Sequence, residues 1–256
     1  MSKYIIEFSK TGTICYTSHL DLMRIFKRAF KRTGIALAYS QGFNPHPKMG
    51  FAQPLSLGYH GMEEYIEFET AEEWEPDQLL QKLAGGLPEG IELKQILNAE
   101  HLTKTLAAHT VAAQYLIEIP LDGSRAAESA DDGPDLTDPR AIWHSYMDQE
   151  QILAWKRQKK KKEPKQIDIK PMIREITFTP VFGGGDEGGG DEASGRTDAP
   201  SALYVEALLD GGSNSNLSPE LVITTVMERL GIGIDRSQIS VVRKKLLFDK
   251  PLEKMI

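Results

Sequence analysis

Apolar and polar residues alternate from the start of the chain. "YIIEF" (4–8) and "TICYTS" (13–18) read as short β-rich runs with Gly12 turning between them. The period then lengthens. In "HLDLMRIFKRAFKRTG", beginning at His19, Leu22, Met23, Phe26, Ala29 and Phe30 share one face at helical spacing. Arg24, Lys27, Arg28, Lys31 and Arg32 share the opposite face. Ser18, with Asp21 three residues on, marks the helix start, and Gly34 its stop. Alternation returns in "EEYIEFET" (63–70), a half-buried strand. A short helix over "EPDQLLQKLAGGLPEG" follows, with Pro76 in its first turn, and then a strand over "IELKQILNA" (91–99).

The second half repeats this order more loosely. "AAQYLIEIP", one or two strands in "QIDIKPMIREITFTP" broken at Pro171, "ALYVEALLD" and "QISVVRKKLLFD" read as strands. "DPRAIWHSYMDQEQILAWKRQ" reads as a helix capped by Asp138, and "SPELVITTVMERLG" as one opened by Ser218 and Pro219. The expectation is an α+β chain of two ferredoxin-like units, residues 1–105 and 106–256, each an antiparallel sheet with helices on one face. Glycine- and acid-rich runs near 121–137 and 183–200 are expected to be flexible loops in the second unit.

Composition narrows the function classes. The 256 residues include no run near the roughly 20 apolar residues of a membrane span, and no signal-peptide pattern, so a cytoplasmic protein is expected. The single cysteine, Cys15, excludes an internal disulfide and a Cys-only metal or iron–sulfur site. Net charge is −7, but the acids gather in "ESADDGPDLTD" and "GGGDEGGGDEASG"; without them the chain is close to neutral. Two clusters are then strongly basic: Arg24–Arg32 and Lys156–Lys165.

Between the basic helix and the next strand lies "YSQGFNPHPKMGFAQPLSLG" (39–58). Pro45 and Pro47 push Asn44 and His46 into extended geometry, so this ribbon is not a helix. It reads either as a stiff recognition loop presenting Tyr39, Gln41, Phe43, Asn44, His46 and Lys48, or as a proline-bent connection. On the helix, cations repeat at i,i+4 (Arg24/Arg28, Lys27/Lys31, Arg28/Arg32), a repulsion that phosphates would relieve. The second cluster reads as an arm that could grip an RNA backbone. His19, at a helix N-terminus, and His46 are the candidate acid–base residues if the protein is an enzyme; no third ligand accompanies them, and no metal is expected. Tyr4, Phe8 and Tyr16, placed on strands, are either core or a base-stacking face. Phosphate-loop, dinucleotide, nucleophile-elbow and HExxH motifs are absent.

"FSKTG", "SHLDLMRIFKRAFKRTG", "AYSQGFNPHPKMGFAQPLSLG", "IDIKPMI" and "NLSPELV" resemble the radical SAM-linked protein family, domain of unknown function 2344, in its stand-alone form. The resemblance is dense over residues 1–70 and patchy to about 245. It implies a partner, a cobalamin-binding radical SAM protein, that carries any radical chemistry. This chain lacks the cysteines for such a cluster and is expected to hold no cofactor. It also implies an RNA or ribosome-associated substrate. A weaker likeness of fold to CRISPR-associated repeat-processing ribonucleases leaves a histidine-based hydrolase open, and an adaptor that binds only protein remains a third reading.

Overall fold

The computed structural model describes residues 1–121, 134–157, 163–182 and 199–256. The acidic runs read above as loops fall largely outside the described residues, as do Lys159–Lys162 of the second basic cluster. The chain is mixed α+β with mostly antiparallel strand pairing, and it divides into two units. The first comprises Met1–Gln114, Gly211–Asn216 and Val242–Ile256; the second comprises Tyr115–Asp210 and Leu217–Val241. No helix among the described residues is long and apolar enough to cross a membrane.

In the first unit, β1 (Ser2–Lys10), α1 (His19–Arg32), β2 (Met49–Phe51), β3 (His60–Thr70), α2 (Pro76–Ala84) and β4 (Ile91–Asn98) follow in sequence. β1 lies between β4 and β3, antiparallel to both, and β2 pairs antiparallel with the other side of β3. The period-2 face explains the core: Tyr4, Ile6 and Phe8 of β1 and Ile66 and Phe68 of β3 point to one side of the sheet. There they meet Leu22, Phe26, Ala29 and Phe30 of α1 and Leu79 and Leu83 of α2. Tyr4 and Phe8 are thus buried core rather than a stacking face. A short helix α3 (Leu106–His109) leads into β5 (Thr110–Pro120). The last strand of the chain, β10 (Ser240–Phe248), places Val242 and Arg243 parallel to His60 and Gly61 of β3.

One expected strand is absent. Gly12–Tyr16 is a 3-10 helix, and Tyr16 is exposed instead of lying on a sheet. Gly12 takes φ +67°, and the Lys10 ammonium reaches the carbonyls of Cys15 and Thr17, each at 3.0 Å, which curls the segment back.

The second unit holds the end of β5, α4 (Pro139–Met147), the hairpin β6 (Leu153–Lys156) and β7 (Lys165–Asp168), β8 (Ile173–Val181), β9 (Ala202–Asp210) and α5 (Pro219–Leu230). β8 and β9 pair antiparallel, and the other neighbour of β9 is β5. Asp138 and Ser218 cap α4 and α5 as their sequences suggest. The helix expected to run to Gln158 stops at Met147, and Leu153–Lys156 is a strand. Its partner is β7, and Asp168 Oδ1 accepts the Ile152 and Lys170 N–H groups at 3.0 Å, tying off the hairpin base. A pairing partner that comes later in the chain overrides the local helical pattern.

Candidate functional site

α1 is set by its cap and its apolar stripe. Ser18 Oγ accepts the Asp21 N–H at 3.2 Å, and Gly34, at φ +72°, ends the helix. With Phe26, Ala29 and Phe30 buried, the basic residues must face outward. The structure separates those five cations into two groups. Arg24 pairs with Asp21 at 2.7 Å, and Arg32 donates to the Gly86 carbonyl. Lys27, Arg28 and Lys31 have no ion-pair partner among the described residues.

The Gly/Pro ribbon forms a finger beside this face. Lys48 N–H donates to the Ala38 carbonyl and Ser40 N–H to that of His46, both at 2.8 Å. The His46 N–H in turn bonds Ser40 Oγ at 3.0 Å. Both arms are anchored to one residue of β3: Ala38 N–H donates to the Glu69 carbonyl at 2.8 Å, and Glu69 N–H to that of Lys48 at 2.9 Å. Gln41–Pro45 form the tip, with Gly42 at φ +132°. Gln41, Asn44, Phe43 and His46 are exposed.

A cleft of about 580 Å³ opens between finger and helix. Lys27, Arg28 and Lys31 line one wall and Tyr39 and Pro47 the other, over a floor that includes Phe30, Ile35 and Leu37. The three unpaired cations thus share a concave site with an exposed aromatic ring. In such a site low-dielectric walls concentrate the positive field, so a phosphate entering would be attracted more strongly than on an open helix face.

The remaining sequence candidates lie elsewhere. Neither histidine lines the cleft. His19 is half-buried with its ring edge-on to Phe51, centroids 5.0 Å apart. Burial, with the charge of Lys10 second, holds its imidazole below the ordinary 6.5. Lys48 is paired with Glu69 at 2.6 Å. Lys156 and Lys165 face each other across the β6–β7 hairpin beside exposed Trp155. Among the described residues no three His, Cys, Asp or Glu side chains gather as a metal site requires.

Sequence reading missed a buried ionic cluster. Glu64, 2% exposed, takes Arg243, 1% exposed, through both carboxylate oxygens, Nε–Oε1 being 2.8 Å. Arg243 also donates to the carbonyls of Gln53 (2.9 Å) and Pro54 (3.1 Å). Lys10 is buried nearby, and desolvation lowers its pKa. The available signal was parity: Lys10 follows Tyr4, Ile6 and Phe8 at period 2, and Glu64 precedes Ile66 and Phe68.

No curated protein matches the chain. A family described as "Uncharacterized protein conserved in bacteria" (DUF2344) matches residues 3–219, which includes α1, the finger, β3 and Glu64 but not Arg243. The chain therefore belongs to this uncharacterized bacterial family, DUF2344.

Proposed function

We propose that this protein is a non-catalytic accessory subunit that recognises RNA or a ribonucleoprotein and presents it to a separate cobalamin-binding radical SAM enzyme. The observation that carries the recognition half is the cleft, where Lys27, Arg28 and Lys31, with no ion pair among the described residues, converge beside a finger anchored at its base. Leaving three like charges within two turns of one helix is unfavourable, and a polyanion removes the repulsion while releasing counterions. The partner half rests on the family resemblance of the motifs at 8–12, 18–34 and 38–58. The same reading takes each unit as ferredoxin-like. In support, β1 to β4 follow the βαββαβ sequence with β1 between β4 and β3, and the elements from β5 to β10 repeat that order along the chain with the β6–β7 hairpin inserted.

A hydrolase reading would need His19 or His46 at the bound anion, and neither lines the cleft. The test is fluorescence anisotropy with labelled RNA over a salt series. Three phosphate contacts predict a log–log salt slope of about −2 to −3. The Arg28→Glu/Lys31→Glu double variant should flatten that slope by about two-thirds. A salt-independent signal, or none, overturns the reading. Salt-sensitive binding to the radical SAM protein without RNA would assign the face to a protein partner.

A further inference from the structure

We infer that the cleft takes single-stranded RNA with unstacked bases, one base lying on Tyr39 and another on Phe43 at the fingertip, while Lys27, Arg28 and Lys31 hold phosphates of the same strand. This deepens, and rests on, the polyanion reading of the same site. A duplex or an inorganic polyanion would use the cations alone. The site offers more: an apolar floor of Phe30, Ile35 and Leu37 beneath the charges, Tyr39 on the cleft wall, and, outside the cleft at the tip of the same finger, the exposed ring of Phe43. Tyr39 is 51% exposed on the cleft wall, and Phe43 stands wholly in solvent at the tip. A phenyl ring held out from the surface meets water on both faces, and a base covers such a face without needing sequence-specific hydrogen bonds.

The presentation is stiff. Tyr39 sits opposite Pro47, between the Ala38–Lys48 and Ser40–His46 backbone bonds. Pro45 and Pro47 restrict the return arm. Little order is left to impose on binding, as in other sites that use rigid aromatics. Lys27 and Lys31 are one turn apart, about 6 Å along the helix axis, comparable to the step between successive phosphates on an extended strand. A-form duplex RNA keeps its bases stacked inside and offers neither ring a partner.

The experiment compares four fluorescent or competing probes matched in charge at one salt concentration. They are a single-stranded RNA of about twelve nucleotides, the same sequence as a duplex, an abasic ribose-phosphate chain, and inorganic polyphosphate. The full chain, Phe43→Ala and Tyr39→Ala are measured on each, with circular dichroism confirming the fold. Phe43 is wholly exposed to solvent, so its variant should fold even if Tyr39→Ala does not. Single-stranded RNA should bind at least about tenfold tighter than the abasic chain. Phe43→Ala should weaken it by about five-fold to a hundred-fold and leave polyphosphate binding unchanged. Equal affinity for all four probes, or RNA binding unmoved by Phe43→Ala, overturns the inference while the polyanion reading stands. Binding of none of the four ends both.

Discussion

Removing the carboxylate of Glu64 tests whether the buried ionic cluster holds the first unit together. Glu64→Ala takes the carboxylate away from Arg243, which is 1% exposed in the folded chain, and removing one partner of a buried pair costs about 3–5 kcal/mol. Two carbonyls, of Gln53 and Pro54, still accept from the guanidinium, so the lower end, about 3 kcal/mol, is expected. Gly61 supplies an internal control. A Cβ there would lie 2.6 Å from both Glu64 Cγ and Oε1, so Gly61→Ala displaces the carboxylate from Arg243. Alone it should cost about 1–3 kcal/mol. In the Glu64→Ala background the obstructing atoms are gone, and the second substitution should add less than about 0.5 kcal/mol. Urea unfolding gives both legs of the cycle, provided the slope stays constant across variants. Replacing both partners, Glu64→Leu with Arg243→Met, should recover most of the loss, since the guanidinium is then gone together with its carboxylate and the buried Lys10 keeps the Cys15 and Thr17 carbonyls. If Glu64→Ala lies within 0.5 kcal/mol of wild type, or if Gly61→Ala costs the same in both backgrounds, the cluster does not act as argued.

Acid should expose His19. Its imidazole titrates below 6.5 in the folded chain, so between that lower value and 6.5 the unfolded chain binds more protons and stability falls as pH drops. Urea midpoints measured from about pH 8 to pH 5 should decline more steeply for wild type than for His19→Gln; parallel curves would show that burial of the ring carries no such linkage. Two glycines with positive φ should separate strain from collision. At Gly34, φ +72°, an added Cβ meets nothing within 4 Å, so Gly34→Ala should cost about 1–2 kcal/mol from backbone strain. At Gly90, φ +86°, the Cβ would sit 2.5 Å from the Thr11 carbonyl oxygen and 2.9 Å from Ile14, so Gly90→Ala should cost at least twice as much by the same urea measurement.

Periodicity alone determined most of the elements. α1 follows from the spacing of Leu22, Phe26, Ala29 and Phe30 with Ser18 and Gly34 at its ends, because both the apolar stripe and the caps are local properties. The same holds for the alternation in β1 and β3 and for the caps of α4 and α5. The basic face and the stiffness of the ribbon were also legible, since charge and proline act where they stand. Tertiary structure decided the rest. Leu153–Lys156 carries a pattern compatible with either element and becomes a strand because β7 is there to pair with it. Which cations stay unpaired depends on Gly86, 54 residues beyond Arg32, and on the finger that folds beside Lys27 and Lys31. Glu64 and Arg243 are 179 residues apart, and although parity puts Glu64 on the core face of β3, nothing local names Arg243 as its partner. Only the register that sets Arg243 beside Gly61 on β3, where the missing side chain leaves room for the Glu64 carboxylate, turns them into a buried pair.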